Sequence, residues 1–460
     1  MNYNQNDINS IIEYSKKLVG NTLRDLCGND INAQHYKGKG NFGQFLERYY
    51  FQYEPNSFSE PDFNEVGIEL KSTPLKQISN GDYRSKERLV LGIIVYNDVV
   101  KEKFELSSFY KKNAHLLLIF YLHQYDIDVL DLVIKMVGEW KFADTDLEII
   151  KQDWDLITDK IKKGKAHELS EGDTFYLGAA TKGSKGGNLR EQPFSKILAK
   201  QRAYSFKQGY LNHIIATLSQ DSLKSYGKLI TSKEQIRKKT IQEVVLERFK
   251  PYLNKRVDDI VTKLNSNLNK NAKGFYASLT KLMLGISLDM EIEEFEKAEI
   301  NIKTVRLKSN YLPKEDMSFP AFSFLDIVNE DWDDSSFKEI LETKYFFVFF
   351  KYDEDNVLRL NKVKFWNMTQ NDIIKAKKVW DKVKKVIANG DIVREVVGGI
   401  RYTNFPSKNF NEIAHIRPHA QNAADTLPLP ILDKVTRQLE YTKQSFWLNN
   451  SYIRDIIYPG

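Results

Sequence analysis

The chain has 460 residues, 42% of them hydrophobic and 12% aromatic, which excludes a disordered protein and leaves room for two to four packed domains. The formal net charge is +6 and there is one cysteine, Cys27, so an internal disulfide framework is excluded, a reducing compartment is expected, and an anionic partner such as nucleic acid is permitted. The start MNYNQNDINS lacks the basic region of a signal peptide, and no apolar run approaches the about 18 residues of a membrane span; a cytoplasmic protein without a membrane partner is expected.

Ile8, Ile11, Ile12, Leu18 and Val19 follow Asn6 and Asp7 at helical spacing, which predicts an amphipathic helix. NFGQFLERYYF puts Phe42, Phe45, Leu46, Tyr49 and Tyr50 on one helical stripe with Glu47 on its flank. VGIELKST alternates as a strand does. RLVLGIIVY (88–96) and AHLLLIFYL (114–122) read as strands apolar on both faces, the buried centre of an α/β sheet. Leu147, Ile150, Trp154, Ile157 and Ile161 predict a helix over 145–163 closed by Gly164. A short strand, GDTFYLGAA, precedes a basic glycine loop. A linker is expected near 216–239, where charged and polar residues dominate.

From about residue 240 a similar order begins again. KGFYASLTKLML parallels KGNFGQFLERYYF, and EEFEKAEINIKTV parallels PDFNEVGIELKST. YFFVFFKY parallels LLLIFYL, VWDKVKKVIANG parallels DWDLITDKIKKG, and SFWLNNSYI parallels AYSFKQGYL. Collinear matches with drifting offsets point to a duplicated domain carrying loop insertions.

The chemistry concentrates in EPDFNEVGIELKST. On a strand, Glu69 and Lys71 are two apart and face one side, while Ile68 and Leu70 face a core. Asp62 lies just upstream and can fold back beside Glu69. Two carboxylates converging at a sheet edge suit Mg²⁺, with waters completing the shell. A neighbouring lysine can hold or deprotonate an attacking water and offset charge on a phosphate. A D-x6-E-x-K pattern arises by chance about 0.1 times in a chain of this length, from average composition. The second copy weighs against chance. It has Glu294, Asn301 and Lys303 where the first has Asp62, Glu69 and Lys71, and Lys281 where the first has Glu47. One working site and one silent copy is the simplest account. No phosphate-binding glycine motif follows a strand, so no nucleotide cofactor is expected. His415 and His419 are the one close histidine pair, but Pro418 between them argues against a helical zinc site.

KGNFGQFLE, PDFNEVGIELKSTP, SKERLVL and AHELSEGDTFYLGAATKG together resemble the MutH-type endonucleases, and the whole chain is similar to those type II restriction enzymes of the group that cut at GATC and carry a second, degenerate MutH-like half. The resemblance implies a duplicated restriction-endonuclease-like (PD-(D/E)xK) α/β core: a mixed central sheet flanked by helices in each half. Residues 1–225 would be catalytic and 226–460 a degenerate DNA-binding or effector domain. It implies Asp62 and Glu69 as the metal carboxylates for Mg²⁺, Lys71 as the catalytic lysine and Glu47 as an additional active-site acid. Lys112, with Lys111 its alternative, stands where the family has a further lysine before a strand. Lys182 matches a base-reading lysine. Lys185, Arg190, Lys200, Arg202 and Lys207, interleaved with Tyr204, are expected to contact DNA. In the second half Arg417, His419 and Trp447 keep the Arg-Pro and aromatic features of the nicking member better than the first half does.

The sequence thus reads as a Mg²⁺-dependent type II restriction endonuclease that acts on double-stranded DNA containing GATC, through a transient dimer on DNA. Its rivals are a methyl-directed strand-nicking repair endonuclease and a non-catalytic DNA-binding protein.

Overall fold

The computed structural model describes residues 2–28, 41–55, 59–79, 81–182, 188–219 and 225–459. In the first half the strands are β1 (Glu69–Gln77), β2 (Tyr83–Ser85), β3 (Val90–Ile93), β4 (His115–Leu122), β5 (Ile134–Lys141), β6 (Leu177–Thr181), β7 (Leu189–Gln192), β8 (Ser195–Lys200) and β9 (Arg202–Phe206). The main sheet has the order β2-β1-β4-β5, with β1 parallel to β4 and β4 antiparallel to β5. A second, antiparallel sheet has the order β3-β9-β6. Together with the flanking helices this is the mixed α/β fold expected.

β4 is central because its side chains are apolar on both faces. Leu116, Leu118 and Phe120 enter one core, and Leu117 and Ile119 enter another that lies under the N-terminal helix Ile8–Lys16. Each such side chain removed from water contributes about 1.5–3 kcal/mol. Asp7 caps that helix by accepting from the Asn9 amide. The helix Asp144–Lys162 buries Ile150, Trp154, Ile157 and Ile161 and ends before Gly164 at φ +68°, the conformation that favours glycine.

The second half repeats this wiring. Asn301–Leu307 runs parallel to Tyr345–Tyr352, which runs antiparallel to Leu358–Trp366. Met317–Ala321, Gln444–Leu448 and Ala414–Pro418 form a second antiparallel sheet. The registers agree: Glu69 opposes Leu116 as Asn301 opposes Tyr345, and Thr181 opposes Arg202 as Pro418 opposes Gln444.

Two expectations need correction. The stretch 88–96 is not a central strand; only Val90–Ile93 pairs, along one edge of the second sheet, with Ile93 exposed. Its double-sided apolarity comes from Leu89, Leu91 and Ile94 reaching the core from a short, bulged segment. The described parts of 216–239, residues 216–219 and 225–239, are not an open linker: the helix Gln208–Ser219 reaches into the stretch, and Leu229, Ile230 and Ile236 are buried. The two halves also share one core. One cluster takes Leu116, Leu118 and Phe120 from the first half and Phe346, Val348 and Phe350 from the second. The opposite face of that second strand, Phe347 and Phe349, serves a core of its own.

Buried polar contacts tie the seam. Lys297 pairs with Asp146 at 3.0 Å, both nearly inaccessible, and also with Glu293 at 2.7 Å. Arg88 pairs with Glu171 of its own half and lies 3.7 Å from Glu339 of the other. Lys344 donates to the Asp173 carbonyl at 3.1 Å.

Candidate active site

The site is assembled by a tight reversal at the start of β1. Phe63 and Ile68 exchange backbone hydrogen bonds across a short turn, and Gly67 at φ +69° closes it. This brings Asp62 back beside Glu69. The Asp62 amide donates to Glu69 Oε2 at 3.1 Å, and the Leu70 amide donates to Asp62 Oδ2 at 3.0 Å. The two carboxylates are therefore oriented by the backbone of the turn itself.

Lys71, two residues along the strand, donates from Nζ to Glu69 Oε1. Lys112, in the helix Ser108–Asn113 that leads into β4, lies 3.7 Å from the same oxygen. Glu47 comes from one turn of π-helix, Leu46–Tyr50, which continues the short α-helix Asn41–Phe45. The expected helix is thus present but widened where it carries the acid, a distortion that recurs at functional sites.

Burial pushes the Glu69 carboxyl up to about 7; Lys71 opposes that rise and Asp62 adds to it. Glu47 is also pushed up to about 7, by burial and then by the Asp62 charge. The charges of Asp62 and Glu69 both act on Glu47, and Lys71 and Lys112 only partly offset them. Among the described residues no three His, Cys, Asp or Glu side chains converge into a ready-made cage. Asp62 and Glu69 bring two carboxylates together at the start of the strand, hard oxygen donors of the kind that hold a hydrated divalent cation.

A cleft of about 640 Å³ runs from Lys71 and Lys112 past Asp98 and Glu102 to Lys182. Lys182 follows β6, and its amide donates to the Gln201 carbonyl at 2.8 Å. It occupies the place that His419 holds in the second half, whose amide donates to the Lys443 carbonyl at 2.9 Å. Arg190 is exposed on β7, where Nη2 reaches Gln201 at 3.2 Å. Lys200 is spent on an ion pair with Asp333 at 3.0 Å. Lys185 lies outside the described residues.

Three expected DNA contacts are corrected by burial. Arg202 is 3% exposed and donates to the Ala179 carbonyl; Lys207 is 4% exposed, among Glu299, Glu171 and Asp153. Tyr204 forms a wall of the cleft, its ring 4.8 Å from Phe109 and its hydroxyl buried. β9 is buried at every residue, so side chains on both its faces are enclosed. Charge in the sequence suggested surface where the topology makes core.

In the second half the residues that parallel these acids in sequence are placed differently. Glu294 turns its carboxylate to accept from the Leu229 and Ile230 amides. Asn301 stands at the position of Glu69. Lys303 is largely buried, and burial lowers its pKa. Lys281 pairs with Glu291 at 3.5 Å. Arg417, His419 and Trp447 do come together: the Arg417 guanidinium lies 4.9 Å from the Trp447 ring and the His419 ring 5.9 Å from it. Arg417 also pairs with Asp316 at 3.1 Å. Tyr53 beside the acids carried no signal that sequence reading could have used.

Comparison with known proteins places this geometry. The family model described as "MutH: DNA mismatch repair enzyme MutH" matches residues 51–153 and again 288–377. "Type II restriction enzyme Sau3AI" from Staphylococcus aureus is 37% identical over 478 residues, covering 96% of each chain. "DNA mismatch repair protein MutH" from Buchnera aphidicola subsp. Baizongia pistaciae is 27% identical over 159 residues, covering 33% of this chain and 70% of its own.

Proposed function

The chain belongs to the MutH-like type II restriction enzymes and is a site-specific deoxyribonuclease, and from that premise we propose that it hydrolyses both strands of DNA at GATC with Mg²⁺, using the first half alone for chemistry. The observation that carries this reading is the convergence of Asp62, Glu69 and Lys71 in the first half against Glu294, Asn301 and Lys303 in the second. GATC rests on the resemblance to enzymes that cut there. A cytoplasmic location follows from the DNA substrate.

Asp62 and Glu69 would hold Mg²⁺, which when bound would polarise a phosphoryl oxygen and ease ionisation of water. The protein's own groups do the rest. Lys71, held beside Glu69, orients the attacking water as a hydrogen-bond donor, and a carboxylate of the site takes up the proton the water releases. Lys112 offsets charge gathering on the phosphate. Glu47 stays within reach of Asp62 as a second proton acceptor near neutral pH. In-line attack leaves a 5′-phosphate and a 3′-hydroxyl.

We assign Lys182, in the cleft, to base contact and Arg190, exposed on β7, to the DNA backbone. Residues 1–225 form the cleaving unit and 226–460 a duplicated, non-cleaving one, a division supported by the matching strand registers and by the two separate family matches. Arg417, His419 and Trp447 give the second unit a DNA surface, and two chains join transiently so that each cuts one strand. The match to a mismatch repair protein covers a third of this chain, so a strand-nicking role is the weaker reading.

Digestion of DNA of known sequence with Mg²⁺, followed by end-mapping, tests the proposal. Linear products ending at GATC are expected. Nicked circles alone, or ends elsewhere, would overturn it. One-site and two-site plasmids test the second half: faster cleavage per site on the latter is expected.

A further inference from the structure

The side chain of Tyr53 has no place in the chemistry so far, yet it sits against it. Its amide donates to the Glu47 carbonyl at 3.1 Å, so it closes the turn that follows the π-helix. Its ring meets that of Phe63, the residue after Asp62, at a centroid distance of 5.6 Å and nearly edge-on. Tyr53 therefore bridges the two chain segments that deliver Glu47 and Asp62. Its hydroxyl is inaccessible to solvent and has no hydrogen-bond partner among the described residues. The charges bearing most strongly on it are Asp62, then Glu47, then Glu69.

A buried hydroxyl without a partner is costly, and such groups in native proteins serve a purpose or find a partner in another state. Two other tyrosines of this region are satisfied: Tyr3 donates to the Phe51 carbonyl at 2.8 Å and Tyr50 to the Tyr14 carbonyl at 2.7 Å. Of these three, Tyr53 is the one whose hydroxyl is left unmatched. A phenol O–H is a donor suited to an ionised carboxylate, and such outer contacts fix the orientation of metal-binding oxygens.

We propose that Tyr53 is a positioning residue that donates its hydrogen bond to the Asp62 carboxylate and holds it in the orientation that binds the divalent cation. One Asp62 oxygen already accepts from the Leu70 amide; the Tyr53 bond would lock the carboxylate plane about that anchor. This rests on the reading of Asp62 and Glu69 as the metal carboxylates.

Tyr53→Phe removes the hydroxyl and keeps the ring packed on Phe63. Three readouts are compared with wild type and with Asp62→Ala: urea midpoint in EDTA, Mg²⁺ and Ca²⁺ affinity by calorimetry, and kcat and KM on GATC-containing DNA. Tyr53→Phe is expected to keep or raise the EDTA midpoint, weaken cation binding about tenfold, in the range typical of outer-shell partners, and lower kcat with KM for DNA unchanged. Wild-type cation affinity in Tyr53→Phe, with binding lost in Asp62→Ala, would overturn the Tyr53 role alone. Wild-type cation affinity in Asp62→Ala would overturn the site reading beneath it. A fall in the EDTA midpoint large enough to account for the lost activity would show Tyr53 to be merely structural.

Discussion

Glu69→Gln should make the protein more stable and inactive at once. Glu69 is 2% exposed at its side chain and its carboxyl is pushed from 4.5 to about 7. Because the folded pKa lies above the unfolded one, the protonated form is the one folding favours. Stability from this group is fully present below about pH 4.5 and is lost as pH rises through about 7. At roughly 1.4 kcal/mol per pH unit between those limits, the ionised carboxylate costs about 2 kcal/mol by pH 6 and about 3 kcal/mol by pH 8. Glutamine mimics the protonated acid and escapes that cost. Urea unfolding in EDTA should therefore show wild type and Glu69→Gln alike near pH 4.5, with the variant more stable by about 3 kcal/mol at pH 8. Excess Mg²⁺ should raise wild-type stability, by about 2.7 kcal/mol at a hundred times its Kd, and leave the variant unmoved. A variant no more stable than wild type at pH 8, or equally stabilised at both pH values, would refute the reasoning.

Asp62→Ala should abolish cleavage while gel-shift affinity for GATC DNA in Ca²⁺ stays within a few fold, whereas Asn301→Ala should cut at the wild-type rate. Arg190→Ala should reduce the slope of log affinity against log salt by about one, if it neutralises one phosphate, and Lys182→Ala should relax sequence preference. Lys297→Ala leaves Asp146 buried without its partner and should cost about 3–5 kcal/mol by urea titration, a loss that Arg190→Ala, on an exposed strand, should not show. Cleavage rate should climb with pH through about 7 as Glu69 and Glu47 ionise, and Glu47→Gln should shift that profile.

The acids and lysine of EPDFNEVGIELKST were legible because the turn that unites them is local: seven residues and one glycine suffice to put Asp62 beside Glu69. The central strand His115–Leu122 was legible from its unbroken apolar run. Glu47 and Lys112 come from separate segments, and only the resemblance pointed to them. Arg202 was misread because β9 is buried on both faces, and Lys207 because the chain just past β9 stays buried among Glu299, Glu171 and Asp153, packing that depends on residues distant in sequence. The seam was invisible for a related reason. Asp146 and Lys297 are 151 residues apart, and nothing in either neighbourhood indicates that they meet. Tyr53 looked like one more aromatic in an aromatic stretch; its relevance lies in an unmatched hydroxyl, which only coordinates reveal.

Counting tightly held Mn²⁺ by electron paramagnetic resonance tests the central claim most directly, with wild type, Asp62→Asn and Asn301→Ala titrated side by side. The tight signal should vanish in Asp62→Asn and survive intact in Asn301→Ala. An ion that stays bound in the first variant and is lost from the second would contradict the account.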